Sequence, residues 1–332
     1  MKSIFRSMLA MVLLNTALLS GYANAQIVIK VGHDQPDRST HHLAALKWKE
    51  LVEARTKGQI QVRLFPAMLL GSGTQMVEQT QAGALEVSIL PTGWVAPLAP
   101  SVQVLDLPFL FQSREALYKV VDGPTGASIL KPLNKVNIEG VAFWESGFKQ
   151  FTGNFPIREP KDYGGRKIRT MPAPVVQEQF KAFGASPVAI DFKELYSALQ
   201  QRVVDGQENP ISTIALMRFY EVQKYLTLSD HGFIAYVFMF NKPFLDKLSP
   251  ENRTIVVDAA KEAGKYQREL IVKAESEQLD MFRKSGMQVE RLTAEQRGRF
   301  EQASRPVYDW FTAKYGVESI NMIRTSIGST AK

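Results

Sequence analysis

The sequence contains no cysteine among its 332 residues. Disulfides, thiolate metal sites and a cysteine nucleophile are therefore excluded, and packing alone must hold the fold. Histidine is scarce, at four residues: His33, His41, His42 and His231. His41 and His42 are adjacent, so on a helix they point apart and do not chelate one ion together; no metal and no cofactor is expected. The chain has no G-x-S-x-G elbow, no Walker loop and no G-x-G-x-x-G after a strand. Acidic residues are many, but no pair stands out as acid and base, which argues against an enzyme. Internal repeats and low-complexity segments are absent. Lys and Arg form no long run, so the net charge of +7 reads as a solvated basic surface that favours anions, not as a nucleic-acid footprint.

What is present begins with a leader. Lys2 and Arg6 precede an apolar run from Met8 to Leu19, and Ala23-Asn24-Ala25 fits small-x-small cleavage. That run is far shorter than the ~20 residues of a spanning helix. Residues 1–25 are thus expected to be a signal peptide removed after Ala25, which leaves a periplasmic protein starting at Gln26. No later stretch is long and apolar enough to cross a membrane. At 45% hydrophobic and 22% charged, the remainder has globular composition and the length for two lobes.

The chain then alternates strands and helices. Ile27 to Gly32 reads as a buried strand, Thr40 to Thr56 as a helix, and Gln59 to Phe65 as an alternating strand. Val77 to Ala82 is helical and Leu85 to Leu90 is a further strand. This rhythm implies a mostly parallel sheet covered by helices. Ile138 to Glu145 is a strand leading out of the first lobe, and Phe148 to Thr152 enters the second. His231 to Asn241 reads as a long strand that crosses back. Ser249-Pro250 starts a helix whose pattern runs to about Lys284, unless it breaks at Gly264. Met287 to Leu292 is a strand, and Thr293 with Gln296 opens a last helix to about Tyr315.

The most informative stretch is Gly165 to Pro210. A short strand ends near Arg169, and Val175 to Phe183 is helical up to Gly184. Pro187 to Ile190 is a strand, and Asp191 with Glu194 caps the next helix. Four blocks stand here in order: Gly165-Arg166-Lys167-Ile168-Arg169, Phe183-Gly184-Ala185-Ser186-Pro187-Val188, Glu194-Leu195-Tyr196-Ser197-Ala198-Leu199-Gln200, and Val204-Asp205-Gly206-Gln207-Glu208-Asn209-Pro210. They resemble the solute-binding proteins of TRAP transporters, the DctP type. Phe65-Pro66-Ala67, Leu70-Gly71, Gly83-Ala84-Leu85-Glu86 and Asp106-Leu107-Pro108-Phe109-Leu110-Phe111 extend the resemblance over nearly all of the mature chain.

The resemblance implies an α/β, two-lobed periplasmic binding protein fold with hinge strands and a long helix along both lobes. Lobe I is expected over 26–148, with about 238–275 returning to it, and lobe II over 149–237; residues 276–332 would pack across both. It implies a monomeric receptor that binds a small organic acid in the interlobe cleft and delivers it to TRAP membrane subunits. By the resemblance, Arg169 grips the ligand carboxylate, which suits its planar two-point fork; the residues alone leave open a structural arginine paired with Glu178. Asn209 aligns with a ligand-contacting asparagine and Phe192 with an aromatic that packs on the ligand. Lys149 stands where many members have a second arginine. It keeps the charge and loses the fork. Asp34 stands near a position where some members place asparagine; an aspartate would repel a second carboxylate or accept from a hydroxyl or amine. Thr92, Trp94 and Tyr236 complete the candidates. The ligand is left as a C4-dicarboxylate or a monocarboxylate with an apolar or aromatic tail. An exported enzyme acting on an acid, or a sensor partner, are the alternatives.

Overall fold

A computed structural model describes residues 26–328; the leader expected over 1–25 lies outside them. Within them nine strands form one sheet in the order β2-β1-β3-β8-β4-β7-β5-β6, with β9 (Gln288–Arg291) parallel on β8. β1 (Ile27–His33), β2 (Ile60–Phe65) and β3 (Val87–Pro91) make one parallel end. β5 (Lys167–Thr170), β6 (Ser186–Ala189) and β7 (Gly206–Pro210) make the other. β4 (Ile138–Gly153) and β8 (Tyr225–Asn241) run antiparallel through both ends and join them. β8 meets β3 over its second half, while β4 meets β7 only from Lys149 to Gly153. The passage between the two ends falls where the β4–β8 register slips, at Glu145/Gly147 and Lys149/Phe151. Gly147 takes φ +114° there, a conformation that disfavours any residue with a Cβ.

Side chains on β8 alternate between two cores, one on each face of the sheet. Ala235, Val237 and Met239 face a core with Leu90, Trp94 and Phe192; Tyr236, Phe238 and Phe240 face one with Trp48, Trp144 and Phe151. β4 and β8 are longer than the hydrophobic pattern implied, because polar residues alternate through their added rungs: Gln150 and Thr152 on one, Thr227 and Ser229 on the other. All four are buried.

The long helix runs unbroken from Pro250 to Lys284. Ser249 caps it by accepting from Asn252 N, and Arg283 and Lys284 sit at its negative end. At ~1.5 Å per residue it is roughly 50 Å long. Trp48 Nε1 and Trp144 Nε1 donate to the carbonyls of Val256 and Ala260, both at 2.9 Å. Gln267 clamps the backbone of Glu145 with two bonds, and Phe282 packs in the other core beside Tyr220. Gly264 is a contact point and not a break: a Cβ there would lie 2.7 Å from the Trp144 indole. Gly264→Ala gains helix propensity, about 1 kcal/mol, yet drives a methyl into a buried ring fixed by its own hydrogen bond. The expected outcome is a net loss of stability, since overpacking costs ~1–3 kcal/mol, read as a lower urea midpoint at unchanged m-value. A stabilised variant would mean that Trp144 yields.

The helix expected to be last divides into Ala294–Ala303 and Arg305–Tyr315, with Pro306 at the start of the second, and a further helix, Glu318–Ile327, follows it. The Thr293/Gln296 capping box is present. Asp191 does cap its turn, but by accepting from Lys193 N at 3.0 Å over a short 3-10 segment.

Candidate functional site

Arg169 lies on β5 between β6 and β7, one residue from the strand's carboxyl end. Open α/β sheets bind ligands at such ends. The chain turns there through Met171 and Pro172 into the helix Pro174–Ala182. Only 3% of Arg169 is exposed. Its Nε donates to Ile190 O at 3.0 Å, and its guanidinium carbon stands 6.0 Å from the centre of the Phe192 ring. Nη2 is buried without a hydrogen-bond partner. Glu178 is bonded to Lys181 instead, and among the described residues Arg169 makes no ion pair. Burial lowers its pKa to about 10 against the pull of Asp191, Glu208 and Asp34, so it stays charged at neutral pH.

Asp34 follows β1. Its Oδ2 accepts from Tyr236 Oη at 3.2 Å, while Oδ1 is buried and unpartnered. Tyr236 accepts in turn from Gln35 Nε2 at 2.8 Å, and its ring lies 4.1 Å from that of His41. Burial pushes Asp34 up to about 7. Thr92 follows β3 with its hydroxyl buried and unpartnered. Gly93 meets Met171, two residues beyond Arg169; a Cβ on that glycine would lie 3.0 Å from Met171 Cε. Trp94 is packed over Gly73 in the core. Asn209 lies on β7 opposite Gln150 and donates its amide to Gln207, the residue level with Arg169.

Lys149 is fully buried, and its ammonium is taken up by Glu208 Oε1 at 2.7 Å. Glu208 Oε2 accepts from Gln179 Nε2 at 3.1 Å and lies 2.7 Å from His231 Nε2. His231 Nδ1 is 2.7 Å from Ser229 Oγ, and Phe151 stacks on the imidazole at 3.7 Å. A carboxylate only accepts, so Nε2 carries the proton and Nδ1 accepts from the serine. Burial opposes the charge on Glu208, but Lys149 and His231 outweigh it and hold the acid at about 2. Neither Glu208 nor its link to His231 stood out in the sequence. Asp106 was also missed: it is fully buried, neither oxygen has a partner at full hydrogen-bond geometry, and burial raises it to about 6 against the charge of Lys149 and the approach of the Thr92 hydroxyl.

Three buried histidines are lowered chiefly by burial, His33 and His41 to about 3 and His231 to about 4. Near pH 5 the unfolded chain protonates all three and the folded chain none. Asp34 and Asp106 act in reverse, being protonated when folded and ionised when unfolded. The unfolded state therefore binds about one more proton, and stability falls by ~1.4 kcal/mol per pH unit as acid is added around pH 5. Below pH 4.5 the loss steepens as Glu208 begins to protonate in the unfolded chain. Urea midpoints between pH 7 and 4 check this; a midpoint rising towards pH 5 would contradict it.

The family model described as bacterial extracellular solute-binding protein, family 7 (DctP), matches residues 31–314. The C4-dicarboxylate-binding periplasmic protein DctP of Rhodobacter capsulatus is 34% identical over 302 residues, 90% of this chain and 91% of that one. A TRAP periplasmic solute-binding protein from Desulfovibrio salexigens, solved with bound orotic acid, superposes with a TM-score of 0.88 at 33% identity, covering 91% of this chain and 98% of the other. The sugar acid binding protein of Advenella mimigardefordensis, solved with galactonate, gives 0.87 at 32%, covering 91% and 97%.

Proposed function

Since the chain belongs to the DctP family of bacterial extracellular solute-binding proteins, we propose that its cleft holds a small organic acid with one carboxylate on Arg169 and that the closed form docks on TRAP membrane subunits. The chain is a two-lobed solute receptor and not an enzyme. Among the described residues no helix is long and apolar enough to cross a membrane. In this proposal the protein works as a periplasmic monomer, its leader removed after Ala25. The lobes are 26–148 with about 238–275, and 149–237. The remaining C-terminal residues lie across both, and the lobes pivot where β4 and β8 cross.

The observation that carries this reading is Arg169: a buried guanidinium with an unused donor and no ion-pair partner. Protein interiors leave such a group only where something else pairs with it. Contacts between the two ends of the sheet surround it. Val175 N donates to Gln103 Oε1 at 3.2 Å, Lys193 Nζ to Met68 O at 3.3 Å, and Arg38 Nη2 to Leu216 O at 2.9 Å. The Phe192 ring lies 6.0 Å from the guanidinium carbon, and Asn209, whose amide donates to Gln207, stands on the neighbouring strand. Closure on a ligand desolvates the ion pair, which strengthens it.

Thermal unfolding of the chain from Gln26 against a panel of organic acids tests the function. A ligand of the folded state alone raises stability by about 2.7 kcal/mol at one hundred times its Kd. A rise confined to one chemical class is expected; a flat response from protein stripped of ligand by unfolding and refolding would defeat the receptor reading.

A further inference from the structure

The polar atoms left over in the cleft are of two unequal kinds. The unpartnered cationic donor is Arg169 Nη2; the unpartnered carboxylate oxygens are Asp34 Oδ1 and those of Asp106, which the Thr92 hydroxyl approaches, and His41 Nε2 and the Thr170 hydroxyl are buried without partners as well. All of these residues are more than nine-tenths buried. They belong to one neighbourhood. Tyr236 bonds Asp34 and pairs across the sheet with Pro91, next to Thr92; Asp34 and Glu208 act on the charge of Arg169, and Lys149 and Glu208 on that of Asp106. The Thr92 loop reaches Arg169's own strand exit through the Gly93–Met171 contact. The other cation, Lys149, is already bonded to Glu208.

A ligand with two carboxylates would place the first on Arg169. Its second would then face Asp34 and Asp106 with no free cation to hold it, and like charges in a desolvated site repel strongly. Buried carboxylate oxygens call for donors. A hydroxyl supplies one, and its own oxygen can accept from Thr92.

We infer that the cleft selects a hydroxylated monocarboxylate, an aldonate-like acid, with its carboxylate on Arg169 and its hydroxyls donating to Asp34 and Asp106, and that it rejects C4-dicarboxylates. This rests on the proposed function, since it takes the Arg169 cleft as the ligand site. One route could admit a second carboxylate: a protonated Asp34 would donate to it. Burial sets Asp34 at about 7 and Asp106 at about 6, so a comparison at pH 8 closes that route.

The experiment is calorimetric titration at pH 8 of the refolded chain with aldonates of four to six carbons, and with succinate and malate. At least one aldonate is expected to bind at least 100-fold tighter than either dicarboxylate. Asp34→Asn keeps the volume and removes the acceptor charge; it is expected to shrink that preference at least tenfold. Tighter binding of succinate or malate, lost in Arg169→Ala, would overturn the ligand class and leave the receptor intact. An unchanged preference in a folded Asp34→Asn would overturn the role of Asp34. Binding by none of these acids would overturn the ligand class, while the receptor reading falls only if the wider thermal-unfolding panel is flat as well.

Discussion

Arg169→Ala is expected to abolish measurable binding of organic acids while leaving the ligand-free protein at least as stable as before. The two halves of this result have one cause. The guanidinium is 3% exposed and makes a single hydrogen bond to a carbonyl, at 3.0 Å. Its burial is expensive enough to lower its pKa to about 10, and among the described residues no carboxylate is bonded to it to offset that. Removing it takes away an uncompensated charge, which does not weaken the fold. Truncating one partner of a desolvated ion pair with a ligand costs ~2–5 kcal/mol, roughly thirty-fold to several thousand-fold in Kd. Arg169→Lys keeps the charge, loses the two-point fork, and falls between. Titration calorimetry and thermal unfolding of the same samples read both halves. Wild-type affinity in the alanine variant would remove Arg169 from the site; a large loss of stability without ligand would make it a structural arginine.

The proposal for Arg169 starts from the blocks around it, which resemble a family, since a lone arginine does not announce a site. The long helix was legible for a local reason. Ser249-Pro250 caps and starts it and two basic residues close it, so its bounds follow from the chain itself. The crossing strands were read short for the opposite reason. Hydrophobic periodicity cannot see the rungs carrying Gln150, Thr152, Thr227 and Ser229, because these are buried by bonds to each other and to distant residues. The same blindness hid Glu208 and Asp106. Glu208 sits within a block used for the resemblance, but the pairing that defines it joins residues 59 apart in sequence. Asp106 lies in a block otherwise dominated by apolar residues, and only the fold shows that both its oxygens are buried without partners at full hydrogen-bond geometry. Lys149 was read as a second cation for the ligand; its position beside Glu208 is a tertiary fact that no spacing encodes.

Glu208→Gln should be the most destabilising single change near the cleft. The carboxylate holds Lys149 at 2.7 Å, and His231 and Gln179 bond its other oxygen. Lys149 is fully buried, and a Cβ on Gly232 would lie 2.5 Å from its Cε, so the side chain has no room to swing to solvent. An amide removes the countercharge and leaves a buried ammonium unpaired, which costs ~3–5 kcal/mol. For a chain of this size that lowers the unfolding midpoint on the order of 10 °C. The sign with pH is fixed by the acid itself. Its folded pKa, about 2, is below the usual 4.5, so its stabilisation is complete above pH 4.5 and lost as pH falls towards 2. The gap between wild type and variant should therefore be constant from pH 7 to 5 and narrow below 4.5. Replacing the lysine as well, in Lys149→Met/Glu208→Gln, removes the stranded charge and should recover most of the loss, because the penalty belongs to the unpaired ammonium and not to the missing bond. If the double variant is as unstable as the single one, the cost lies instead in the His231 and Gln179 bonds. The cluster would then be a hydrogen-bond network in which the lysine charge is incidental, and the fold would tolerate a second cation left free for the ligand.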